Sequence, residues 1–327
     1  MSLTFRGAGK GLARAALGLA LMAAVVWWAG PARVLEGLAA IRPIWIVPIL
    51  ATAYLGMAIS CMRWRVLLEA RGIRVSVHLL IFYYTIGYFF SSFLPSMFGG
   101  DIARSYIFGK KIENQLESFA SVFMERLTGL TGLVLVAAAA TLLNFRTLRG
   151  AGLLPWMGAI IAGFCAFLFL VFNRPLVERA GAMIRWRKVE AWKKKLLLFH
   201  DAVYSFRSEK RVIAIALFYS ILFQILTSVN TWIVCLALGL KIGFLDIMVV
   251  VPIILLICAI PVTPNAAGIW EVAFMIFFSR LGYGPVAGTN IALVLRAKNI
   301  LVALVGGLFY AVSGSVPRPP EVRHETP

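Results

Sequence analysis

The chain has 327 residues, 61% of them hydrophobic and only 14% charged, and its mean hydropathy is +0.88. This composition excludes an ordinary soluble domain and indicates a multi-pass membrane protein with little mass outside the bilayer. The net charge of +18 would suggest nucleic-acid binding in a soluble chain. Here the basic residues flank apolar runs, where they orient the chain and contact anionic headgroups, so we expect membrane lipids and no nucleic acid as partners.

Apolar runs that predict membrane-crossing helices lie at residues 15–29, 44–62, 118–143, 153–172, 212–240 and 289–313. The first run lacks the small-residue cleavage pattern of a signal peptide, so it predicts a retained helix. Two more runs, 79–93 and 247–260, each lead into an interruption. Together they predict an all-α polytopic membrane protein with about eight segments. The predicted units are a membrane domain at residues 1–315, its halves 1–150 and 151–315, and a disordered tail at 316–327.

The first interruption combines a proline, two glycines and two charges: Pro95, Gly99, Gly100, Asp101 and Arg104. Proline and paired glycine break a helix and free backbone groups that hydrocarbon cannot satisfy. Irregular backbone survives at membrane depth only when it is buried in protein or lines a wet cavity, and neighbouring charges favour the cavity. The alternative is a loop just outside the membrane, in which Asp101 is an ordinary N-cap.

Charge predicts the orientation of the chain. Residues 173–211 carry eleven Lys or Arg against four Asp or Glu, which predicts cytoplasmic amphipathic surface helices. The basic loop 63–74 and both termini are predicted on the same, cytoplasmic side of the plasma membrane. The run 118–143 and the segment 79–111 then both begin on the cytoplasmic side. The segment 79–111 must therefore enter the membrane and return to the same side, as a re-entrant hairpin or as two half-spans. This path favours the cavity over the outside loop.

The second interruption repeats the order of the first, because Pro264 and Gly268 precede the acid Glu271. An arginine follows in each half, Arg126 at 31 residues after the first proline and Arg296 at 32 residues after the second. The second half is predicted to begin outside, so the halves run in opposite directions. Inverted repeats with paired broken helices are a transporter architecture.

Seven charged residues are predicted to line a headgroup cavity: Asp101, Arg104, Glu125, Arg126, Glu271, Arg296 and Lys298. An unpaired charge at membrane depth costs several kcal/mol, so each needs a partner or water, and the candidate counter-ions of Arg296 and Lys298 are Glu271, Glu125 and Asp101. Arg296 is predicted about 10 Å below the start of its helix. One hypothesis is a basic pocket for a lipid phosphate, bound by arginine and by the N–H groups of half-helices. The alternative is a set of structural salt bridges. Glu271 is predicted as a helix cap, a proton carrier or a contact for a cationic headgroup.

The sequence offers no cofactor or metal motif. The four cysteines lie in apolar runs without histidine partners, and the three histidines are scattered. A nucleotide-binding loop, a zinc-protease motif and a nucleophile elbow are all absent from the sequence. We therefore expect no cofactor and no metal.

Two further patterns have several interpretations. The aromatic run 82–93 predicts a lipid-facing groove, interfacial anchoring or simple packing. The polar residues of the run 212–240 predict hydrogen bonds between helices rather than substrate contacts. These residues are Gln224, Thr227, Ser228 and Asn230.

Three segments resemble the lysylphosphatidylglycerol synthase transmembrane family, which is also described as flippase-like. They are SFLPSMFGGDIARSY, SVFMERLTGL and TPNAAGIWE, and the resemblance extends over residues 10–313. It implies a membrane unit that moves a lipid between leaflets, with site residues Asp101, Arg104, Glu125, Arg126, Glu271 and Arg296. Fuller members add a cytoplasmic aminoacyl-transfer domain, whereas the largest polar stretch here has 39 residues, so we do not expect synthase activity. The family often has glycines after the second proline, where this chain has Asn-Ala-Ala.

The leading functional prediction is an integral membrane lipid translocator. Its substrate is left open among anionic or aminoacylated phospholipids, polyprenyl-phosphate carriers and hopanoid-type lipids. One alternative is a polytopic membrane enzyme that uses Asp101 or Glu271 as a general base on a lipid-linked substrate. Another is an accessory subunit with a lipid-modifying enzyme as its partner.

Overall fold

The structure, a computed structural model, describes residues 27, 31–39, 41–93, 99–150, 152, 154–173, 198–199, 201–259 and 263–312. Every regular element within them is a helix, which confirms the all-α prediction. Four helices in these ranges are long and apolar enough to cross a membrane: Pro43–Glu69, Gln115–Leu143, Lys210–Ala237 and Gly284–Leu308. Shorter apolar helices accompany them, as expected of a multi-pass membrane protein. The count of about eight crossings stays a prediction.

The α-helices are, in chain order, α1 Pro31–Ala39, α2 Ile46–Glu69, α3 Val77–Phe93, α4 Gly99–Lys111, α5 Gln115–Leu143, α6 Phe145–Gly150, α7 Leu154–Phe172, α8 Lys210–Ala237, α9 Phe244–Cys258, α10 Ile269–Arg280 and α11 Gly284–Val312. Short 3₁₀ helices lie at Pro43–Trp45, Phe206–Ser208 and Pro264–Ala266. Several predictions fall outside the described residues, namely those on Pro95, on most of the run 15–29, on 174–197 of the basic segment and on the tail 316–327.

Two helices extend beyond the apolar runs that predict them. The run 44–62 predicts an end before Arg63, whereas α2 continues to Glu69, because Arg63 is buried and ion-paired inside the bundle. Helix α11 begins at Gly284, so Arg296 lies about 18 Å along it rather than about 10 Å. A charge with a buried partner does not end a membrane helix, and for this reason the first run underestimates the length of α2.

Helices α3 and α4 pack together as an antiparallel hairpin. Going back along α3 from Gly87 to Tyr83, the contacts on α4 advance from Gly100 to Phe108. Gly99 and Gly100 are the first residues of α4. A side chain at Gly100 would overlap the carbonyl oxygen of Gly87, so glycine allows the two helices to touch here.

Helices α9 and α10 are connected through the 3₁₀ helix Pro264–Ala266. Asn265 and Ala266 have φ angles of 47° and 50°, in the left-handed region that few residues other than glycine adopt. Gly268, with φ 80°, is the N-cap of α10. The turn packs against α3, so the second interruption touches the first hairpin.

One end of the bundle is marked by Arg71, between α2 and α3. Its guanidinium binds both carboxylate oxygens of Glu117 at 2.6 Å and donates to Ser205 Oγ at 2.9 Å. The hydrogen bond to Glu117 raises the pKa of Arg71. The start of α5 and the segment 201–208 therefore meet the α2–α3 connection at this end, the Arg71 end. Because α4 finishes at Lys111, just before α5, the α3–α4 hairpin leaves the Arg71 end and returns to it.

The opposite end is marked by Asp246, in the first turn of α9. Its carboxylate accepts a hydrogen bond from Asn144, the C-cap of α5, so it lies at the end of α5 that is far from Glu117. Tyr283, between α10 and α11, donates to the carbonyl of Lys241, just before α9, at 3.4 Å. The α9–α10 hairpin therefore leaves the Asp246 end and returns to it.

Helices from the two halves of the chain interleave. Helix α2 packs along α8, α3 along α11, and α5 along both α8 and α9. The α5–α8 seam is tight, since a Cβ atom at Gly132 would lie 2.7 Å from Cβ of Ser220. Helices α2 and α11, in contrast, face each other across a cavity that α3 and α8 also line.

Gly306→Ala tests the seam between α3 and α11. A side chain at Gly306 would overlap the backbone carbonyl of Thr85, so we expect the free energy of unfolding to fall by about 1–3 kcal/mol. Gly163 in α7 is the matched control, because a side chain there meets nothing within 4 Å. Gly163→Ala is expected to stabilise the helix by up to about 1 kcal/mol. Thermal unfolding in detergent compares the variants, and equal midpoints would contradict this packing.

Candidate functional site

Glu125 in α5 is the centre of the first charged network. Its side chain is 2% exposed, and Oε1 accepts hydrogen bonds from Arg63 Nη2 at 2.7 Å and from the hydroxyl of Tyr84. Oε2 accepts from Arg104 Nη2 at 2.6 Å. Arg63 also donates to Ser220 Oγ at 3.2 Å. One buried carboxylate thus connects α2, α3 and α4 to α5, and Arg63 extends the network to α8.

Asp101 in the first turn of α4 extends the network toward its exposed side. It accepts a hydrogen bond from Arg104 Nε at 3.0 Å and another from Arg126 Nε. The Arg126 side chain is 48% exposed, whereas that of Arg104 is 2% exposed. The network therefore contains three arginines and two acids, and its excess positive charge is nearest to the surface at Arg126.

Arg104 is held by aromatic rings as well as by acids. Its guanidinium carbon lies 4.1 Å from the ring centre of Tyr84 and 4.6 Å from that of Trp64, distances at which a cation is attracted to the face of a ring. Trp64 in turn donates to Ser121 Oγ at 3.1 Å. Two donors of the network, Arg104 Nη1 and Arg63 Nε, are buried and have no acceptor in the part of the chain that the structure describes.

Glu271 in the first turn of α10 forms the second charged network. It is completely buried, its Oε2 accepts from the N–H of Gly268 at 2.7 Å, and its Oε1 accepts from Arg296 Nε. Arg296 Nη2 lies 3.1 Å from Oε2, so the pair is bidentate. Glu271 is therefore a helix cap and the counter-ion of Arg296 at once, which combines two of the predicted roles.

Lys298, two residues after Arg296 in α11, has a neutral partner. Its ammonium group donates to Asn230 Oδ1 at 3.0 Å. The amide nitrogen of Asn230 donates to the carbonyl of Ile49 at 2.8 Å and to Thr52 Oγ1 at 2.6 Å. Lys298 forms no ion pair with the acids that the structure describes.

The cavity between α2 and α11 lies beside Lys298. It has room for water of ≈ 60 Å³, enough for a few molecules but not for a phospholipid headgroup. One part of its wall is polar and is formed by Thr52, Tyr88, Thr227, Asn230, Lys298 and Asn299. The apolar part of the lining includes Phe223, Leu226 and Val302.

The seven predicted site residues thus fall into three groups. Asp101, Arg104, Glu125 and Arg126 belong to the first network, Glu271 and Arg296 to the second, and Lys298 to the cavity. The adjacent residues Glu125 and Arg126 bind different partners on α4. The predicted hinge residues Gly100 and Gly268 each lie at the start of a short helix that carries one of the acids.

Sequence reasoning missed Arg63 and Tyr84. Arg63 was expected in a cytoplasmic loop, but buried apolar residues continue after it at Trp64, Leu67 and Leu68. This i, i+3, i+4 spacing is the signal that the helix and its buried face continue. Tyr84 belongs to the aromatic run, whose packing interpretation is correct at this position, because Tyr84 is buried.

The polar residues of α8 have different partners. Asn230 bonds to α2 and α11, which confirms the prediction of a bond between helices. The hydroxyl groups of Thr227 and Ser228 donate instead to carbonyls four residues earlier in α8 itself. Short side chains in a membrane helix commonly use this local acceptor.

Comparisons with known proteins place the chain among membrane proteins. The profile of the family described as lysylphosphatidylglycerol synthase TM region matches residues 15–307. A UPF0104 membrane protein of Methanothermobacter thermautotrophicus is 24% identical over 305 residues, which cover 88% of this chain and 90% of the relative. A UPF0104 membrane protein of Pyrococcus horikoshii is 24% identical over 315 residues, covering 89% and 94%. No solved structure gives a significant match.

Proposed function

The chain belongs to the family of the lysylphosphatidylglycerol synthase TM region, and from this premise we propose that it moves a polar or phosphate-bearing lipid between the leaflets of a membrane. Positive charge inside the helical bundle supports the proposal. The bases of the site are Arg63, Arg104, Arg126, Arg296 and Lys298, and the acids are Asp101, Glu125 and Glu271. Among the described residues of this site, five bases against three acids leave a net charge of +2, part of which lies near the surface on the 48% exposed Arg126.

Uncompensated positive charge at membrane depth favours an anionic ligand, because the charge is otherwise costly there. The bundle also contains guanidinium N–H groups, on Arg63 and Arg104, that have no acceptor within the described residues. Arginine binds phosphate oxygens in a forked geometry, so such donors suit a phosphate headgroup. The acids, in contrast, are occupied by arginines, which leaves them poor candidates for a general base in an enzyme.

We further propose that the two halves form an inverted repeat. Helices α2 to α5 have 24, 17, 13 and 29 residues, and α8 to α11 have 28, 15, 12 and 29. Asp101 and Glu271 are each the third residue of the short helix, and each binds an arginine 25 positions later. The two hairpins return to opposite ends of the bundle, as opposed re-entrant hairpins would.

This repeat suggests how the protein transports its substrate. The pair α2 and α11 corresponds to the pair α8 and α5, yet the first pair is separated by the cavity and the second is tightly packed. In our proposal, transport exchanges the two arrangements, so that the cavity opens in turn on each side. Exchange between repeats around a central site is a common route to alternating access.

We also propose that the Arg71 end faces the cytoplasm across the plasma membrane. Basic residues concentrate there among the described residues: Arg65, Arg71, Arg74, Lys110, Lys111, Arg207, Lys210 and Arg211. An excess of lysine and arginine favours the cytoplasmic side. The segment 201–208 at this end packs the apolar residues Ala202, Val203 and Phe206 into one buried cluster with Leu67, as expected of an amphipathic surface segment.

Lipid transfer in sealed liposomes tests the proposed function. Headgroup-labelled phospholipids should change leaflet faster with the purified protein than in protein-free liposomes, measured by quenching of the outer-leaflet label. Equal rates would contradict the proposal. Glu271→Gln is expected to slow transfer, because it weakens the ion pair that ties α10 to α11. If the protein is instead an enzyme, this variant loses turnover of a lipid-linked substrate in detergent, where leaflets do not exist.

A further inference from the structure

Lys298 differs from the other bases of the bundle in how its charge is balanced. The arginines at positions 63, 104, 126 and 296 each lie within 3.0 Å of a carboxylate oxygen. Lys298 is bonded to an amide oxygen. An amide orients an ammonium group but does not neutralise it. The described residues therefore place no carboxylate against the ammonium group of Lys298 at the wall of the cavity.

The orientation of Asn230 is determined by its other partners. The Ile49 carbonyl can only accept, and it lies 2.8 Å from the amide nitrogen of Asn230. The hydroxyl of Thr52 lies 2.7 Å from the carbonyl of Pro48, to which it donates, so toward Asn230 it accepts. Both N–H groups of Asn230 are thus used, and its oxygen must face Lys298. This series of hydrogen bonds holds the ammonium group of Lys298 in place and uses one of the three N–H donors of that group.

We propose that Lys298 and the polar wall of this cavity bind the phosphate of the transported lipid. The inference rests on the proposed function and assigns the headgroup contact to one residue. The cavity offers a phosphate two remaining N–H donors of Lys298 and the side-chain amide of Asn299. Its apolar wall, with Phe223, Leu226 and Val302, suits the adjoining glycerol and the first methylene groups of the tails.

The two charged networks are less suited to be the first contact. Their carboxylates would repel a phosphate, and the arginines of the first network are already paired with acids at 2.6–3.0 Å. At the cavity no ion pair has to break. Widening it to admit a headgroup separates α2 from α11, and these helices have little direct packing to lose.

Binding to the purified full-length protein in detergent, read by native mass spectrometry, tests the site. The probes are dioleoylphosphatidylglycerol, the phosphate-free lipid dioleoylglycerol, and glycerol 3-phosphate, which has no tails. We expect Lys298→Gln to weaken phosphatidylglycerol binding by about tenfold or more, the loss of one charge-assisted hydrogen bond. Lys298→Arg keeps the charge and should retain most of the binding. Lys241→Gln, at an exposed lysine between α8 and α9, should not change it.

Asn299→Asp is a second test, because it places a negative charge on the wall of the cavity and keeps the size of the side chain. The new carboxylate would repel a phosphate in the cavity, so binding of phosphatidylglycerol should fall as in Lys298→Gln even if that variant does not fold. Binding of glycerol 3-phosphate with the same dependence on Lys298 would support the phosphate site and show that tails are not needed. Equal binding of phosphatidylglycerol and dioleoylglycerol, or unchanged binding in both variants, would overturn the inference.

The outcomes separate this inference from the proposed function. Lys298-dependent binding without faster transfer in liposomes would overturn the translocator and leave the phosphate site standing. Faster transfer that Lys298→Gln leaves unchanged, together with unchanged binding, would overturn the site and leave the translocator standing.

Discussion

Replacing Glu125 by glutamine is expected to lower the free energy of unfolding by about 3–5 kcal/mol, the usual effect of removing one partner from a buried ion pair. The carboxylate balances the guanidinium groups of Arg63 and Arg104 and accepts from Tyr84. Glutamine has almost the same shape, but its NH₂ group would face a cation. The arginines would remain buried with too few acceptors, because each already has one unsatisfied nitrogen.

Glu69→Gln is the matched control for Glu125→Gln. Glu69 pairs with Arg65 at 2.7 Å, but the two side chains are 40% and 43% exposed. An exposed pair contributes less than about 1 kcal/mol, so this variant should unfold almost as the wild type does. Thermal or denaturant unfolding in detergent measures both. Similar unfolding midpoints for the two variants would mean that Glu125 is not the centre of the network.

Arg296→Met and Arg126→Met are expected to have unequal effects although the two arginines occupy matching positions. Without Arg296, the completely buried Glu271 keeps one partner among the described residues, the backbone N–H of Gly268, and we expect a loss of about 3 kcal/mol or more. Without Arg126, Asp101 still binds Arg104 at 3.0 Å. The Asp101 carboxylate that is left behind is only 10% exposed, but it stays paired with Arg104, and we expect a loss of about 1 kcal/mol.

The comparison of these two variants also tests the geometry of the pairs. Methionine keeps the apolar stem of the arginine and removes its charge, so both variants lose one guanidinium group and differ only in its surroundings. Unfolding midpoints in detergent should rank wild type above Arg126→Met and Arg126→Met above Arg296→Met. The reverse order would show that the second network contributes less to stability than its burial suggests.

Apolar runs and breaks were readable in the sequence because they depend on neighbouring residues. The helical class, the short helices that follow each interruption, and the acids at their starts could all be predicted from local pattern. The partners of Arg296 could not, since Glu271, Glu125 and Asp101 were equally eligible counter-ions before the rotation of each helix was known. The structure selects Glu271, 25 residues earlier.

Arg63 was missed for a related reason. A charge after an apolar run usually indicates the membrane surface. The desolvation cost of burying Arg63 is offset by acceptors on Glu125 and Ser220, which are 62 and 157 positions away in the sequence. Partners so distant in the sequence produce no local pattern around Arg63, and the only local signal is the spacing of the apolar residues that follow it. The cavity beside Lys298 was equally hidden, because its wall combines α2 and α3 with α8 and α11, which lie more than 100 residues later in the chain.

The packing of α2 along α8 has an evolutionary consequence. If the inverted repeat is correct, these two helices are counterparts, and the pseudo-twofold axis passes between them. A half-length ancestor that inserted into the membrane in both orientations would have dimerised through this helix, since in a twofold dimer the same surface meets itself. Duplication and fusion of its gene would then have freed the two copies to diverge, one retaining aspartate and the other glutamate at the start of its short helix.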